Sequence, residues 1–540
     1  MAKVPFHFEA KLSNERHRLY LCQHGIILLA GALFTLVQLL VLVPAGDNVF
    51  LLDISGWMLD GGRYFYEFME LNPPLFPVLM FPVQLAHRLT GLGVHPLFIV
   101  WISILIASSS AVVFRELTKV VDDGSASCVW LAIGVEAVLF FVPQLDFGQR
   151  DHLGVVLLLP ALAGLAAREP ETPTTRRDWF IAVMGAFGLL MKPHLLILGC
   201  SVYAMRLAQE RNWRVLIEAP VLAGLVVSCL YVGAILIFFP EWLLVAKMAS
   251  LVYSTFDTAN GWFTNRTFVS VVAILGLAAL NQLLATGKER SLGHLLAAAA
   301  AGALASYVLQ HKDFEYHFVP TKVLLYLLAG LVAMSVMKMG ATIAASQGLH
   351  GWAQMVQRYR CPILSVFALL FLSITVNRTN INAQSEAVDE WRLVQFLQLN
   401  NAGQRIASFS TALWPAYPLP AYRTSMPAWR WAQPWPIAWI ALQEREGRAS
   451  EANTVQMSRD LREMVKEDFR RFDPDALLVD ESAGMQAITG KFEMLEWFRR
   501  DPELARILDE FERVGELHSP HRKYVGADLA LYKRRSRESR

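Results

Sequence analysis

Glu70-Leu71-Asn72-Pro73-Pro74-Leu75-Phe76-Pro77-Val78-Leu79-Met80-Phe81-Pro82-Val83-Gln84-Leu85-Ala86-His87-Arg88 is the stretch on which the topology turns. Residues 73–92 are apolar enough to invite reading as a membrane span. Yet Pro73, Pro74, Pro77 and Pro82 fall within ten residues. Each proline removes a backbone donor and breaks helical hydrogen bonding. In lipid the freed groups must be met by protein or by a water-lined cavity. The segment is therefore read as re-entrant or interfacial, not as a crossing.

On either side, long apolar runs recur from Ile26 to Val376. Candidate spans lie at about 24–44, 96–118, 126–143, 152–168, 178–192, 194–208, 216–239, 267–286, 293–310, 320–339 and 361–377, eleven in all, several of them short for a bilayer core of about 30 Å. Excess Lys and Arg mark the cytoplasmic side. With 73–92 not crossing, the basic loops fall together: Arg115 and Lys119, Arg168 with Arg176 and Arg177, Arg206 with Arg211 and Arg214, Lys288 with Arg290, and Lys338 with Arg358 and Arg360. If 73–92 crossed, every later loop would invert. The expected protein has its N-terminus inside, its C-terminus outside, and the run after the basic N-terminal segment retained as a signal anchor in the cytoplasmic (inner) membrane.

Composition agrees. Of 540 residues, 54% are hydrophobic and only 18% charged, against about 25% charged in ordinary soluble chains. The net charge of +2 gives no basic surface for nucleic acid. The five cysteines, Cys22, Cys128, Cys200, Cys229 and Cys361, lie in or beside apolar runs, so no disulfide framework is expected. Residues 378–540 read as a soluble, periplasmic α/β domain following a transmembrane domain over 1–377. Short β-type runs occur at Arg405–Ser408, Ala476–Val479 and Ala527–Tyr532, with charged helical stretches at about 455–470 and 491–514. Between them, 412–440 is dense in Trp and Pro, residues that suit a membrane interface or a sugar-binding face.

On this topology the outer loops, about 45–95, 144–152, 191–194, 240–266 and 311–319, collect acids, histidines and aromatics. Ionisable groups at membrane depth are costly and default to function. The first loop runs Asp47-Asn48-Val49-Phe50-Leu51-Leu52-Asp53, then Asp60-Gly61-Gly62-Arg63-Tyr64-Phe65-Tyr66, and reaches Glu70 before Pro73-Pro74-Leu75. A carboxylate just after the first span, a short helix, a Gly-Tyr turn and an acid before Pro-Pro-Leu form one constellation. It resembles the first periplasmic loop of the GT-C superfamily, the polyprenyl-phosphate-sugar-dependent membrane glycosyltransferases. Bacterial relatives of the protein O-mannosyltransferases and the aminoarabinose transferases look most similar. Asp146-Phe147-Gly148-Gln149-Arg150-Asp151-His152 stands where that family has its second acidic motif. Met191-Lys192-Pro193-His194 and His311-Lys312-Asp313-Phe314-Glu315-Tyr316-His317 look like its outer-face basic and aromatic segments. Two departures stand out. The first loop lacks an adjacent acidic pair, and Leu71-Asn72 replaces the Glu-Lys of the aminoarabinose branch.

The resemblance implies a GT-C-like helical membrane fold and a hexosyl- or pentosyltransferase. Its partners would be a polyprenyl-phosphate sugar donor and a glycan, lipid or protein acceptor at the cell envelope. The chemistry asks for one general base on the acceptor hydroxyl. Asp47 matches the family's base position, with Asp53 its rival and a helix cap its structural alternative. The departing phosphate asks for cations. Candidates are Arg150, Lys192, His194, Lys312 and His317. Lys192 and His194 could instead snorkel at helix ends, and Arg150 could pair with Asp146 or Asp151. Asp151 is expected to serve catalysis by orienting Arg150 or binding acceptor. Tyr66, Glu70, Gln149, His152 and Tyr316 complete the expected substrate-binding set. His152, His311 and His317, with Glu70 or Asp151, leave a divalent cation open, but no spacing specifies metal ligands. Two other classes compete: a transporter or flippase of a lipid-linked saccharide, and an O-antigen ligase or polymerase. No internal repeat supports the first. The second usually carries a large loop between late spans, not a C-terminal domain.

Overall fold

The structure is a computed structural model that describes residues 6–121, 125–169, 172–256, 264–356, 359, 387–422, 426–482, 490–519 and 527–535. The span expected over 361–377 lies outside the described residues. The chain divides into two compact units. One comprises Met1–Leu42, Ile99–Tyr231 and Asn260–Thr379, the other Val43–Phe98, Val232–Ala259 and Asn380–Arg540.

Helices of the first three hundred and fifty or so residues run in chain order as α1 (Phe6–Val41), α2 (Gly46–Leu59), α3 (Leu75–Leu79), α4 (Phe81–Thr90), α5 (Val94–Val120), α6 (Ser125–Phe141), α7 (Arg150–Ala167), α8 (Arg176–Leu190), α9 (Leu196–Glu210), α10 (Ala219–Phe238), α11 (Trp242–Val252), α12 (Asn265–Leu284), α13 (Gly287–Gln310) and α14 (Glu315–Ser346). Among the described residues, seven stretches are long and apolar enough to cross a membrane: Leu21–Val41, Val94–Val120, Arg150–Ala167, Trp213–Phe238, Asn265–Leu284, Gly287–Gln310 and Glu315–Ser346. The expected spans 126–143, 178–192 and 194–208 appear as the shorter helices α6, α8 and α9. The protein is a helical, multi-pass membrane protein.

In the first unit α7 is the most buried of these stretches, with 94% of its residues buried. It packs against α8, α13 and α14. The α7–α8 approach depends on small residues. A Cβ at Gly188 would stand 2.5 Å from the carbonyl oxygen of Gly154, so only glycine permits that backbone contact. Helix α8 starts on a capping box. The Asp178 amide donates to Thr175 Oγ1 at 3.3 Å, and the Thr175 amide donates to Asp178 Oδ2 at 2.7 Å, satisfying two otherwise orphaned donors.

The second unit contains the proline-rich segment. It folds as α3 and α4, of five and ten residues, broken at Met80. At 1.5 Å rise per residue neither approaches the roughly 30 Å of a bilayer core. Gly91, at φ 70, closes α4 in the left-handed region, where glycine carries no steric penalty. Gln84 of α4 donates to the Leu52 carbonyl of α2 at 2.6 Å.

The C-terminal residues form a five-stranded sheet in the order β2-β1-β3-β5-β4. Its strands are β1 (Arg405–Phe409), β2 (Met426–Pro427), β3 (Ala476–Asp480), β4 (Phe511–His518) and β5 (Asp528–Arg534). β1 is parallel to β2 and β3, while β5 runs antiparallel to β3 and β4. All five residues of β3 are buried, as a central strand covered on both faces requires. Three expected strands are β1, β3 and β5, and the expected helix at 455–470 is Ala452–Phe472. The helix expected over 491–514 is not continuous. It is Met494–Arg499, then Pro502–Leu508, and from Phe511 the chain becomes edge strand β4. Pro502 starts a new helix and cannot continue the old one. Charges on an edge strand imitate a solvated helix face and also guard against edge pairing.

The Trp/Pro-rich stretch also departs from expectation. Trp414, Trp429, Trp431 and Trp435 are 1–5% exposed and form interior packing, not an open face. Arg430, between two of them, is 2% exposed. Its Nε donates to Asp468 Oδ1 at 2.7 Å, its Nη1 donates to the Phe65 carbonyl at 2.9 Å, and its own carbonyl accepts from the Met69 amide at 2.9 Å. Arg471 pairs with Glu67. The first loop is thus hydrogen-bonded to C-terminal residues within one unit. Removing one member of a buried pair leaves a desolvated charge. Arg430→Ala is expected to lower stability by about 3–5 kcal/mol, read as a drop in Tm of the detergent-solubilised chain, with Asp468→Ala in the same chain restoring part of it.

Candidate functional site

The residues singled out from the sequence fall into two groups, one in each unit. In the second unit, α2 carries Asp47 and Asp53. Asp47 lies in the first helical turn, where a carboxylate meets the positive end of the helix dipole. The N-cap residue itself is Ala45, which has no side-chain acceptor to offer. Asp53 lies mid-helix, partly buried. It has no hydrogen bond or ion pair among the described residues. Burial alone pushes its carboxyl up to about 7, because a charged form is disfavoured away from water.

Glu70, 6% exposed, is engaged locally. Its Oε1 accepts from the Asn72 amide at 2.8 Å and from the Asn72 side chain. Tyr64 donates to the Asn72 carbonyl at 3.3 Å, and Trp242 donates to the Leu71 carbonyl at 3.2 Å. This acid therefore shapes the turn into Pro73-Pro74. Tyr66 is 38% exposed, with the Arg63 guanidinium 4.8 Å from its ring centre.

In the first unit, three chain ends meet: the start of α7, the link between α8 and α9, and the start of α14. Asp151, 1% exposed, forms an ion pair with Lys192, itself 2% exposed. His194 Nε2 stands 3.6 Å from the other carboxylate oxygen of Asp151. The His194 and His317 rings are 5.7 Å apart, and His317 and Tyr316 are 4.3 Å apart. Lys192 Nζ lies 4.5 Å over the Tyr316 ring. Gln149 and Arg150 are 3% and 5% exposed at the same helix start. Charge on Arg150 reaches both His194 and His317. One carboxylate thus faces the Lys192 ammonium and two imidazoles, with the Arg150 guanidinium near those imidazoles, in a poorly solvated setting where electrostatic interactions are strengthened.

The remaining expected residues are placed differently. His152 is fully buried, and its Nδ1 accepts from the Gly148 amide at 2.9 Å, with the Phe147 ring 5.5 Å away. It stabilises the turn before α7. Lys312 is 2% exposed in the turn between α13 and α14. Close by, Arg266 pairs with Glu315 at 2.7 Å. Among the described residues, no group of three or more His, Cys, Asp or Glu side chains is arranged to hold a metal ion.

Two contributors escaped sequence reasoning. Arg430 is one. Tyr417 is the other: its ring lies 5.2 Å from that of Phe50 on α2, and its hydroxyl is buried without a hydrogen-bond partner. The only local signal was the unusual Trp/Pro density around it.

No family model matches the chain, and no curated protein matches it. Solved structures do. The chain is similar to ArnT from Cupriavidus metallidurans in the apo state, at TM-score 0.53 and 12% identity, covering 96% of this chain and 98% of that one. It also aligns with the archaeal oligosaccharyltransferase AglB from Archaeoglobus fulgidus, solved with an inhibitory peptide and a dolichol-phosphate. That match has TM-score 0.43 and 10% identity, covering 95% of this chain and 74% of that one. The likeness to ArnT runs nearly end to end through both chains, so the GT-C-like fold expected from the first-loop motifs is the fold of this protein.

Proposed function

We propose that this protein is a membrane glycosyltransferase that moves one sugar from a polyprenyl-phosphate donor to an acceptor on the outer face of the inner membrane. The observation that carries the reading is the buried Asp151–Lys192–His194–His317 cluster with Arg150 beside it. Its basic side chains outnumber the single carboxylate. Such a setting suits a phosphate whose charge grows as it departs. Asp151 would hold Lys192 and His194 in place, a role close to the orienting one expected from sequence.

In the proposed reaction the acceptor hydroxyl loses its proton to Asp47, and its oxygen bonds to the anomeric carbon of the sugar. The bond from that carbon to the phosphate oxygen breaks, and its electron pair leaves with the lipid phosphate. Asp53 accepts a hydrogen bond from the acceptor. This division keeps the base at the position the family resemblance indicates.

Donor dependence tests the reading. The purified chain in proteoliposomes is expected to transfer sugar from a polyprenyl monophosphate donor. Transfer only from a polyprenyl pyrophosphate glycan would indicate a ligase or polymerase. Substrate movement across the bilayer without a new glycosidic bond would indicate a transporter. A C-terminal reporter fusion active only outside the cytoplasm is expected as well. A cytoplasmic C-terminus would remove the topology on which the reading stands.

A further inference from the structure

We propose that Tyr417, supplied by the C-terminal part of the chain, is a positioning residue for Asp53: its side chain shifts along the α2 face to bring its hydroxyl within reach of the Asp53 carboxylate and donates a hydrogen bond to it when that group ionises. This deepens the reading above, in which Asp53 contacts the acceptor.

The geometry points to the pair. On α2, Gly46, Phe50 and Asp53 share one face, being three and four residues apart. Tyr417 packs on that face. Its ring meets Phe50 at 5.2 Å, and a Cβ at Gly46 would stand 3.3 Å from the Tyr417 carbonyl oxygen. Tyr417 is 2% exposed and its hydroxyl has no partner. Asp53 has none either among the described residues, and its charge is felt by the Tyr417 hydroxyl. An unpaired buried donor beside an unpaired carboxylate is unfavourable on both sides. A shift of the Tyr417 side chain toward Asp53 would satisfy both.

The other charged groups around α2 are already engaged or distant in role. Helix α3 carries no titratable residue. On α4, Arg88 pairs with Asp60 at 2.9 Å and donates to the Gly56 carbonyl at 3.1 Å, and His87 Nδ1 meets the Leu92 carbonyl at 2.6 Å. Glu70 is bound by Asn72. Asp47 lies in the first turn of the same helix. None of these groups contributes to the Asp53 shift, which burial alone causes. A hydrogen bond to the ionised form would draw the carboxyl below that position.

The test is an infrared titration of carboxyl bands on the purified full chain, with Asp53→Asn identifying the Asp53 band. In Tyr417→Phe the Asp53 titration is expected to move up by about one pH unit, a tenfold change in ionisation constant. Tm should not fall, since only an unpartnered hydroxyl is removed. Coincident wild-type and Tyr417→Phe titrations would overturn the proposal. Should Tyr417→Phe fail to fold, the wild-type phenol band answers. A shift as Asp53 ionises, absent in Asp53→Asn, supports the pair, and no shift overturns it.

Activity gives a separate readout. With an envelope fraction from a strain lacking the protein as acceptor, Tyr417→Phe is expected to raise the apparent acceptor KM several-fold below pH 7 while leaving that for donor unchanged. An unchanged acceptor KM would count against the pair. Absence of transfer by the wild-type chain would count against the glycosyltransferase reading and leave the infrared result standing.

Discussion

Lys192→Met is expected to cut transfer by about 10²–10³-fold, because the ammonium that would meet the departing phosphate is gone. It should also reveal why Asp151 is there. The pair is buried, at 2% and 1% exposure. Breaking such a pair from one side leaves an uncompensated charge and costs roughly 3–5 kcal/mol. The single variant should therefore lose both stability and activity, which by itself does not separate folding from catalysis. Lys192→Met combined with Asp151→Asn separates them. Removing both charges should recover most of the Tm, since a neutral isosteric pair is often as stable as the ion pair. Transfer should remain low. Recovery of transfer with stability would mean that Lys192 serves only the fold and that phosphate is handled elsewhere.

Asp47→Asn has the second large expected effect. Amide nitrogen cannot take a proton from the acceptor, and general-base catalysis contributes about 10²–10⁴-fold. Transfer should fall by that amount. Membrane insertion and Tm should persist, because asparagine keeps the size of the side chain and an oxygen acceptor at the helix start. Asp53→Asn in parallel should act mainly on the acceptor KM. If instead Asp53→Asn abolishes turnover and Asp47→Asn does not, the base is Asp53. Its carboxyl, raised by burial to about 7, lies where a general base operates well near neutrality. The two variants thus decide between carboxylates that share one helix.

Much of the architecture was legible without coordinates because it depends on local rules. Four prolines between Pro73 and Pro82 interrupt any span there, and the structure shows two short helices broken at Met80. The Leu-, Ala- and Val-rich runs become long helices because lipid leaves the backbone few alternatives. Apolar runs at Arg405–Ser408 and Ala476–Val479 become strands of the C-terminal sheet. Local rules failed at Phe511–His518, where charged residues fit both a helix face and an edge strand. Only pairing with β5 decides between them.

The sequence by itself determined that this is a multi-pass membrane protein with a C-terminal α/β region, and it named Arg150, Lys192, His194, Lys312 and His317 as residues apt for phosphate chemistry, with Asp151 as an orienting or acceptor-binding carboxylate. It did not determine which of them meet. Lys192 reaches Asp151 across 41 residues and Tyr316 across a far longer interval. His152, beside Asp151 in sequence, turns instead to the Gly148 amide. Tertiary structure alone made Trp429 and Trp431 interior, tied Arg430 to the first loop, and set Tyr417 against α2 near Asp53. The physical reason is common to all. Periodicity and proline act over a few residues, while a buried charge or hydroxyl is defined by whatever partner the fold brings to it.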